Sequence, residues 1–256
     1  MSLMNTFKID NLSVEVFSDR EEMGQKAGQD AAEAIKKVIL ANGSANVMFA
    51  AAPSQNETLA TLRADKSIEW EKVNAFHMDE YIGLPEDHPS GFRNFLKRAL
   101  FDCLPFASVY LLNGNAADPQ AEADRYETLL EEYPLDICLC GIGENGHIAF
   151  NDPDVADFVD KRKVKVVHLD DVCRNQQVND GCFKTFEEVP EYALTVTVPG
   201  MTCAKSMFCS VPASTKAVAV QHMLNDDISE KCPATILRIH KSARLYLDLD
   251  SAKYIK

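Results

Sequence analysis

Leu139-Cys140-Gly141-Ile142-Gly143-Glu144-Asn145-Gly146-His147-Ile148-Ala149-Phe150-Asn151-Asp152-Pro153 joins an apolar run to a loop that holds three glycines and one histidine. The run 135–140 predicts a buried strand, and the glycines after it let the backbone turn sharply and approach a ligand without a Cβ in the way. Gly143 and Gly146 then stand beside the ligand, and His147 falls at the carboxyl end of the strand, where open α/β sheets bind their ligands. Asp152 lies five residues further on, placed to fold back and orient the imidazole. Taken alone, the same residues also suit a capped turn carrying a surface histidine.

Outward from this loop, short β-branched runs alternate with longer amphipathic patterns. This predicts βαβ units and an open, mostly parallel sheet with helices on both faces, a Rossmann-like α/β fold. Strands are expected near 12–17, 46–51, 73–77, 109–112, 135–140, 163–169, 193–198, 206–211 and 244–249. The clearest helix begins at Ser18-Asp19-Arg20-Glu21, a capping-box pattern, and puts Met23, Ala27, Ala31, Ile35 and Val38 or Ile39 on one face. No repeat, low-complexity stretch or proline-rich linker marks a boundary, so one domain over 1–256 is expected.

Composition narrows the function classes. At 46% hydrophobic and 25% charged, the chain reads as globular, and 256 residues suffice for a full core. No apolar run approaches the roughly 18 residues of a membrane span, and the N-terminus lacks the regions of a signal peptide, so a soluble cytoplasmic protein is expected. A net charge of −13 without a basic stripe argues against nucleic acid as a partner. Eight cysteines are scattered without C-x-x-C pairing, so no metal is expected, and those in apolar runs read as small hydrophobes in a reducing compartment. The oligomeric state stays open, a homo-oligomer being one of the readings.

A second constellation is Asn74-Ala75-Phe76-His77-Met78-Asp79-Glu80-Tyr81-Ile82-Gly83-Leu84, where another strand runs into adjacent carboxylates. Buried carboxylates are costly unless paired or protonated, so their natural place is a strand mouth opening on a cleft. The alternative is that Asp79 caps the next turn and Glu80 is solvated.

Together these segments resemble the glucosamine-6-phosphate deaminase (isomerase) family, which is related to the 6-phosphogluconolactonases. The Phe76–Leu84 acid motif and the histidine loop carry the resemblance, and Leu111-Leu112-Asn113-Gly114-Asn115-Ala116, Val189-Pro190-Glu191-Tyr192-Ala193-Leu194-Thr195-Val196 and Ser214-Thr215-Lys216-Ala217 follow in the expected order. The resemblance implies conversion of an amino-sugar 6-phosphate to a ketose 6-phosphate plus ammonia, with neither metal nor organic cofactor. It places Asp79 as the base for carbon-bound protons and His147 as the ring-opening acid and base. Asp152 matches a glutamate that orients the histidine, and Asn145 takes the place of an aspartate beside it, able to hold an imidazole by hydrogen bonding but without its charge. Ser54, Glu80, Gly143, Gly146, Lys216 and Arg174 complete the implied substrate-binding set.

The sequence departs from the family pattern at the phosphate. A small-residue, glycine-bearing loop is expected after the second strand, but Ala51-Ala52-Pro53-Ser54-Gln55-Asn56-Glu57-Thr58 contains no glycine. Ser54 to Glu57 forms a capping box that places Glu57 to fold back over those amides. Lys216 matches the family's phosphate lysine; the expected arginine has no counterpart, leaving Arg174 as a substitute or a surface cation. Lys161-Arg162-Lys163-Val164-Lys165 reads first as a solvated strand edge, and Val155 and Ala156, where serines are expected, do not support an effector site. Three functional readings follow: a sugar-phosphate deaminase or isomerase, a lactonase of the related branch, and a non-catalytic sugar-phosphate sensor. The Met78–Tyr81 segment and the Ile148–Asn151 run after His147 favour the first.

Overall fold

A computed structural model describes residues 3–255. Eleven strands and seven α-helices alternate along them: β1 (Leu3–Ile9), β2 (Leu12–Phe17), α1 (Arg20–Asn42), β3 (Ala45–Phe49), α2 (Asn56–Ala64), β4 (Val73–His77), β5 (Asp79–Tyr81), α3 (Phe92–Ala99), β6 (Ser108–Tyr110), α4 (Pro119–Glu132), β7 (Ile137–Cys140), β8 (Val164–His168), α5 (Asp171–Asn179), β9 (Tyr192–Val196), α6 (Val198–Thr202), β10 (Ser206–Val211), α7 (Ala217–Asn225) and β11 (Ala243–Asp248). Eight strands form one sheet in the order β1-β2-β11-β10-β7-β3-β4-β6, parallel throughout except for the β1–β2 pair. A smaller antiparallel sheet, β5-β9-β8, lies beyond the end of β4.

Strand periodicity divides the core between the two faces. Ile137 and Leu139 of β7 pack with Val47 and Phe49 of β3 in one cluster, covered by Met23, Ala27, Ala31 and Ile35 of α1. Cys138 and Cys140 turn to the other face and join Met48, Cys209 and the inner sides of α4 and α7. These cysteines are thus small core residues, as their apolar surroundings predict. At the amino-terminal end of β4 the single tryptophan, Trp70, is buried, its ring 4.9 Å from that of Phe106 in edge contact.

Local signals agree with the fold, with some corrections. α1 is capped by Asp19, whose carboxylate accepts from the Glu22 N–H at 2.9 Å, while Ser18 donates to that carboxylate. Of the two alternatives on its inner face, Ile39 is the buried one. Nine strands stand within a few residues of expectation, whereas β1 and β5 are additional. β1 is a largely exposed edge strand without alternating burial, and β5 is a three-residue strand opening on two acids, so neither carries a hydrophobic period. No helix among the described residues is long and apolar enough to cross a membrane.

Candidate active site

Because β3, β4, β7 and β10 run parallel, their carboxyl ends open on one side, and the segments leaving them line a cavity of about 390 Å³. Ser54 follows β3, Asp79 follows β4, Gly143 and His147 follow β7, and Lys216 follows β10; all five line the cavity.

The two acids after β4 part company because successive strand residues face opposite ways. Asp79 faces the cavity, and among the described residues no hydrogen bond holds its carboxylate. Burial, then the neighbouring Glu80 charge, pushes Asp79 well above the usual carboxylate range. Glu80 turns away and accepts the N–H groups of Tyr81, Phe92 and Arg93 at 3.0, 3.0 and 2.9 Å. It anchors the start of α3 and is not a cavity residue, contrary to the substrate-binding role implied by resemblance. His77 is structural as well: its Nε2 accepts from the Leu112 N–H at 2.8 Å, and burial lowers it to about 3, which keeps it neutral.

In the histidine loop, Gly143 is required by contact rather than by backbone angle. A Cβ there would stand 2.1 Å from Cε1 and 2.3 Å from Nε2 of His147, so the ring rests directly on the glycine. Gly146 has the left-handed φ of +82°, and its carbonyl accepts from the Ala234 N–H at 2.8 Å. It shapes the loop and does not line the cavity, which corrects its implied binding role.

His147 Nδ1 lies 2.8 Å from Asp152 Oδ1. The contact is short, but its geometry is not that of a straight hydrogen bond. Burial works to raise Asp152, but the adjacent His147 ring and the hydrogen bond from Asn145 prevail and hold its carboxyl below the ordinary value. Among the described residues, Asn145 makes no hydrogen bond to the ring. Its Nδ2 donates to Asp152 Oδ1 at 3.0 Å and Asp170 Oδ2 at 3.2 Å, and its Oδ1 accepts the His147 N–H at 3.0 Å. The asparagine thus supports the carboxylate that supports the histidine.

A cation, Lys216, also lines the cavity. Lys216 is only 5% exposed, and its Nζ has no hydrogen-bond partner among the described residues. Burial lowers its pKa, against the raising influence of Asp180 and Glu144. Arg174 is neither substitute nor surface cation. Its Nη2 donates to the carbonyls of Phe186 and Val189 at 3.2 and 2.8 Å, its guanidinium stacks 4.0 Å from the Phe186 ring, and it lies outside the cavity.

Glu57 does not fold back either. Its carboxylate is gripped by Arg20 through Nε and Nη2 at 2.8 and 2.9 Å, and Arg20 Nη2 also donates to the Pro53 carbonyl at 2.9 Å. Arg20 therefore reaches the cavity wall from the start of α1, a position its helix-capping pattern gave no reason to expect. The basic cluster is neutralised at the edge strand β8: Arg162 pairs with Asp124 and Glu127, and Lys165 with Asp160.

Ala213 precedes this cation with φ +80° and ψ +148°, a region almost reserved for glycine, and its N–H is clamped by both oxygens of Asp248 at 3.2 and 3.0 Å. Ala213→Gly should raise stability by about 1 kcal/mol, because relief of roughly 1–3 kcal/mol of strain exceeds the ~0.4–1 kcal/mol of added unfolded-state entropy. Urea titration checks this; a lower midpoint with an unchanged slope would contradict the strain.

Comparison with known proteins gives the same arrangement a lineage. The profile of the family described as glucosamine-6-phosphate isomerases/6-phosphogluconolactonase matches residues 18–246. A glucosamine-6-phosphate deaminase of Bacillus cytotoxicus is 32% identical over 230 residues, covering 90% of this chain and 86% of its own. One from an Exiguobacterium species is 41% identical over 176 residues, covering 69% and 67%. Among solved structures, a monomeric glucosamine-6-phosphate deaminase superposes with a TM-score of 0.86 at 29% identity, over 94% of this chain and 98% of that one. The 6-phosphogluconolactonase of Trypanosoma brucei shares the fold, with a TM-score of 0.78 at 17% identity over 98% and 100% of the two chains. With the match running from the start of α1 into β11, the chain belongs to the glucosamine-6-phosphate isomerase/6-phosphogluconolactonase family.

Proposed function

We propose that the protein converts an amino-sugar 6-phosphate, glucosamine 6-phosphate or an epimer, with water to a ketose 6-phosphate and ammonia. The observation that carries this reading is one cavity lined by a carboxylate that has no hydrogen bond among the described residues, Asp79, together with a histidine braced by a buried carboxylate, His147 with Asp152. Ring opening moves a proton between ring oxygen and anomeric hydroxyl, and His147 is the imidazole that lines the cavity and can carry it. Asp79 then takes the C2 proton of the opened sugar and returns it to C1. The resulting C2 imine adds water and expels ammonia. The raised pKa of Asp79 makes it a stronger base once ionised.

Lys216 serves the phosphate, since a buried ammonium without a partner is compensated by an incoming anion. Lys216→Ala should raise KM for the phosphorylated sugar by roughly tenfold or more, as loss of a charge-assisted hydrogen bond of ~1.5–3 kcal/mol implies. Turnover of the unphosphorylated sugar should be nearly unchanged; steady-state kinetics on both forms checks this, and equal losses would remove Lys216 from the phosphate site.

An ammonia-release screen over glucosamine, galactosamine and mannosamine 6-phosphates and their unphosphorylated forms, with a 6-phosphogluconolactone control, tests the whole reading. Ammonia from at least one amino sugar supports it; lactone hydrolysis with no ammonia overturns it. Two coarser readings travel with it. The main sheet takes strands from Leu3 to Asp248, which supports one domain, and eight free cysteines suit a reducing cytoplasm.

A further inference from the structure

We propose that His147, Asp152 and Cys173 form a binding site for a zinc-class divalent cation, and that its occupancy withdraws His147 from the cavity chemistry. The loop after β7 supplies the first two residues and the first turn of α5 supplies the third. One donor atom from each lies within 4.8 Å of the others. A tetrahedral zinc ion sets neighbouring N, O and S ligands roughly 3–4 Å apart, given Zn–S near 2.3 Å and Zn–N near 2.0 Å, so the groups need close by only about an ångström. Three protein ligands of mixed N, O and S type suit a zinc-class ion, and one of them, His147, also lines the cavity.

Two further observations point to a ligand. Among the described residues, His147 Nδ1 and Asp152 Oδ2 are buried atoms without a hydrogen-bond partner, although Nδ1 stands 2.8 Å from Asp152 Oδ1, and their side chains are only 9% and 1% exposed. The charge around them is one-sided as well. A single amide, Asn145 Nδ2, reaches both Asp152 and Asp170, so two carboxylates crowd one imidazole, a setting that a dication relieves. Coordination deprotonates the thiol: the ion gains a bond to Cys173 Sγ, the S–H bond breaks, and the proton leaves to solvent, with no change of oxidation state. The residues are separated by 5 and 21 positions, which is why no C-x-x-C or His-x-His spacing announces the site.

Cobalt(II) serves as the probe, titrated into the full chain carrying Cys103→Ser and Cys203→Ser, which removes the two exposed thiols. The expected result is the strong visible absorption of a tetrahedral ion with a near-ultraviolet sulfur-to-cobalt charge-transfer band. Adding Cys173→Ser should abolish that band and weaken zinc binding, measured by competition, by at least about tenfold. A band of undiminished strength in the Cys173→Ser chain overturns the proposal. A measurement on the unaltered chain keeps it open to refutation should that variant fail to fold. Calorimetric zinc titration at neutral pH in buffers of different ionisation enthalpy should show at least about one proton released per ion bound; none released excludes the thiolate. Both readouts are independent of turnover, so failure here is distinct from failure of the deaminase reading.

Discussion

Asp79→Asn is expected to lower kcat by ~10²–10⁴-fold while making the folded protein more stable at neutral pH. The amide keeps the shape of the carboxylate but cannot accept the C2 proton, so isomerisation stops with the cavity intact. The gain in stability has a separate origin. Asp79 has a folded-state pKa well above its unfolded value, because burial and the Glu80 charge oppose its ionisation. Below the ordinary carboxylate range the group is protonated in both states and carries no penalty. As pH rises through that range the unfolded chain ionises first, and the native state loses stability until pH passes the folded pKa. The difference in thermal midpoint between Asp79→Asn and the native protein should therefore be small near pH 4 and grow toward pH 8. The same elevated pKa places the acid limb of native kcat/KM above the usual carboxylate range. Wild-type turnover by the variant would remove Asp79 from the base role, and a variant less stable at pH 8 would contradict the electrostatic account.

His147→Gln should depress kcat/KM for the cyclic substrate by ~10²–10⁴-fold yet leave an open-chain analogue close to native. Glutamine offers hydrogen bonds but cannot exchange a proton near neutrality, so only the ring-opening step suffers. Equal losses on both forms would place His147 in the carbon-acid step instead. Gly143→Ala provides a geometric companion, because the added methyl occupies the space of the imidazole.

How far the sequence reveals this site depends on what each residue's position is fixed by. Asp79, His147 and Lys216 are readable because each lies in the segment that leaves a hydrophobic strand, and a parallel sheet gathers such segments at one edge. Glu80 is misplaced by resemblance alone. Period-two alternation shows that if Asp79 faces the cavity its neighbour does not. Arg174 and Glu57 depend on partners 15 and 37 residues away, Val189 and Arg20, and no local pattern encodes those distances. Arg20 was hidden for the same reason. The strands β4 and β10 stand within their expected limits because turn residues bound their hydrophobic runs, whereas β1 exists through backbone pairing to β2 with little side-chain burial to signal it.

Trp70 also fixes what light can report about this molecule. It is the sole indole, packed against Phe106 before β4 begins, while the cavity opens after that strand ends, five residues or about 16 Å further along. Intrinsic emission should therefore shift to longer wavelength only when the core comes apart and stay silent as sugars bind. Fluorescence of the native chain is a gauge of global unfolding, and an optical view of ligand occupancy requires a second indole placed at the cavity rim.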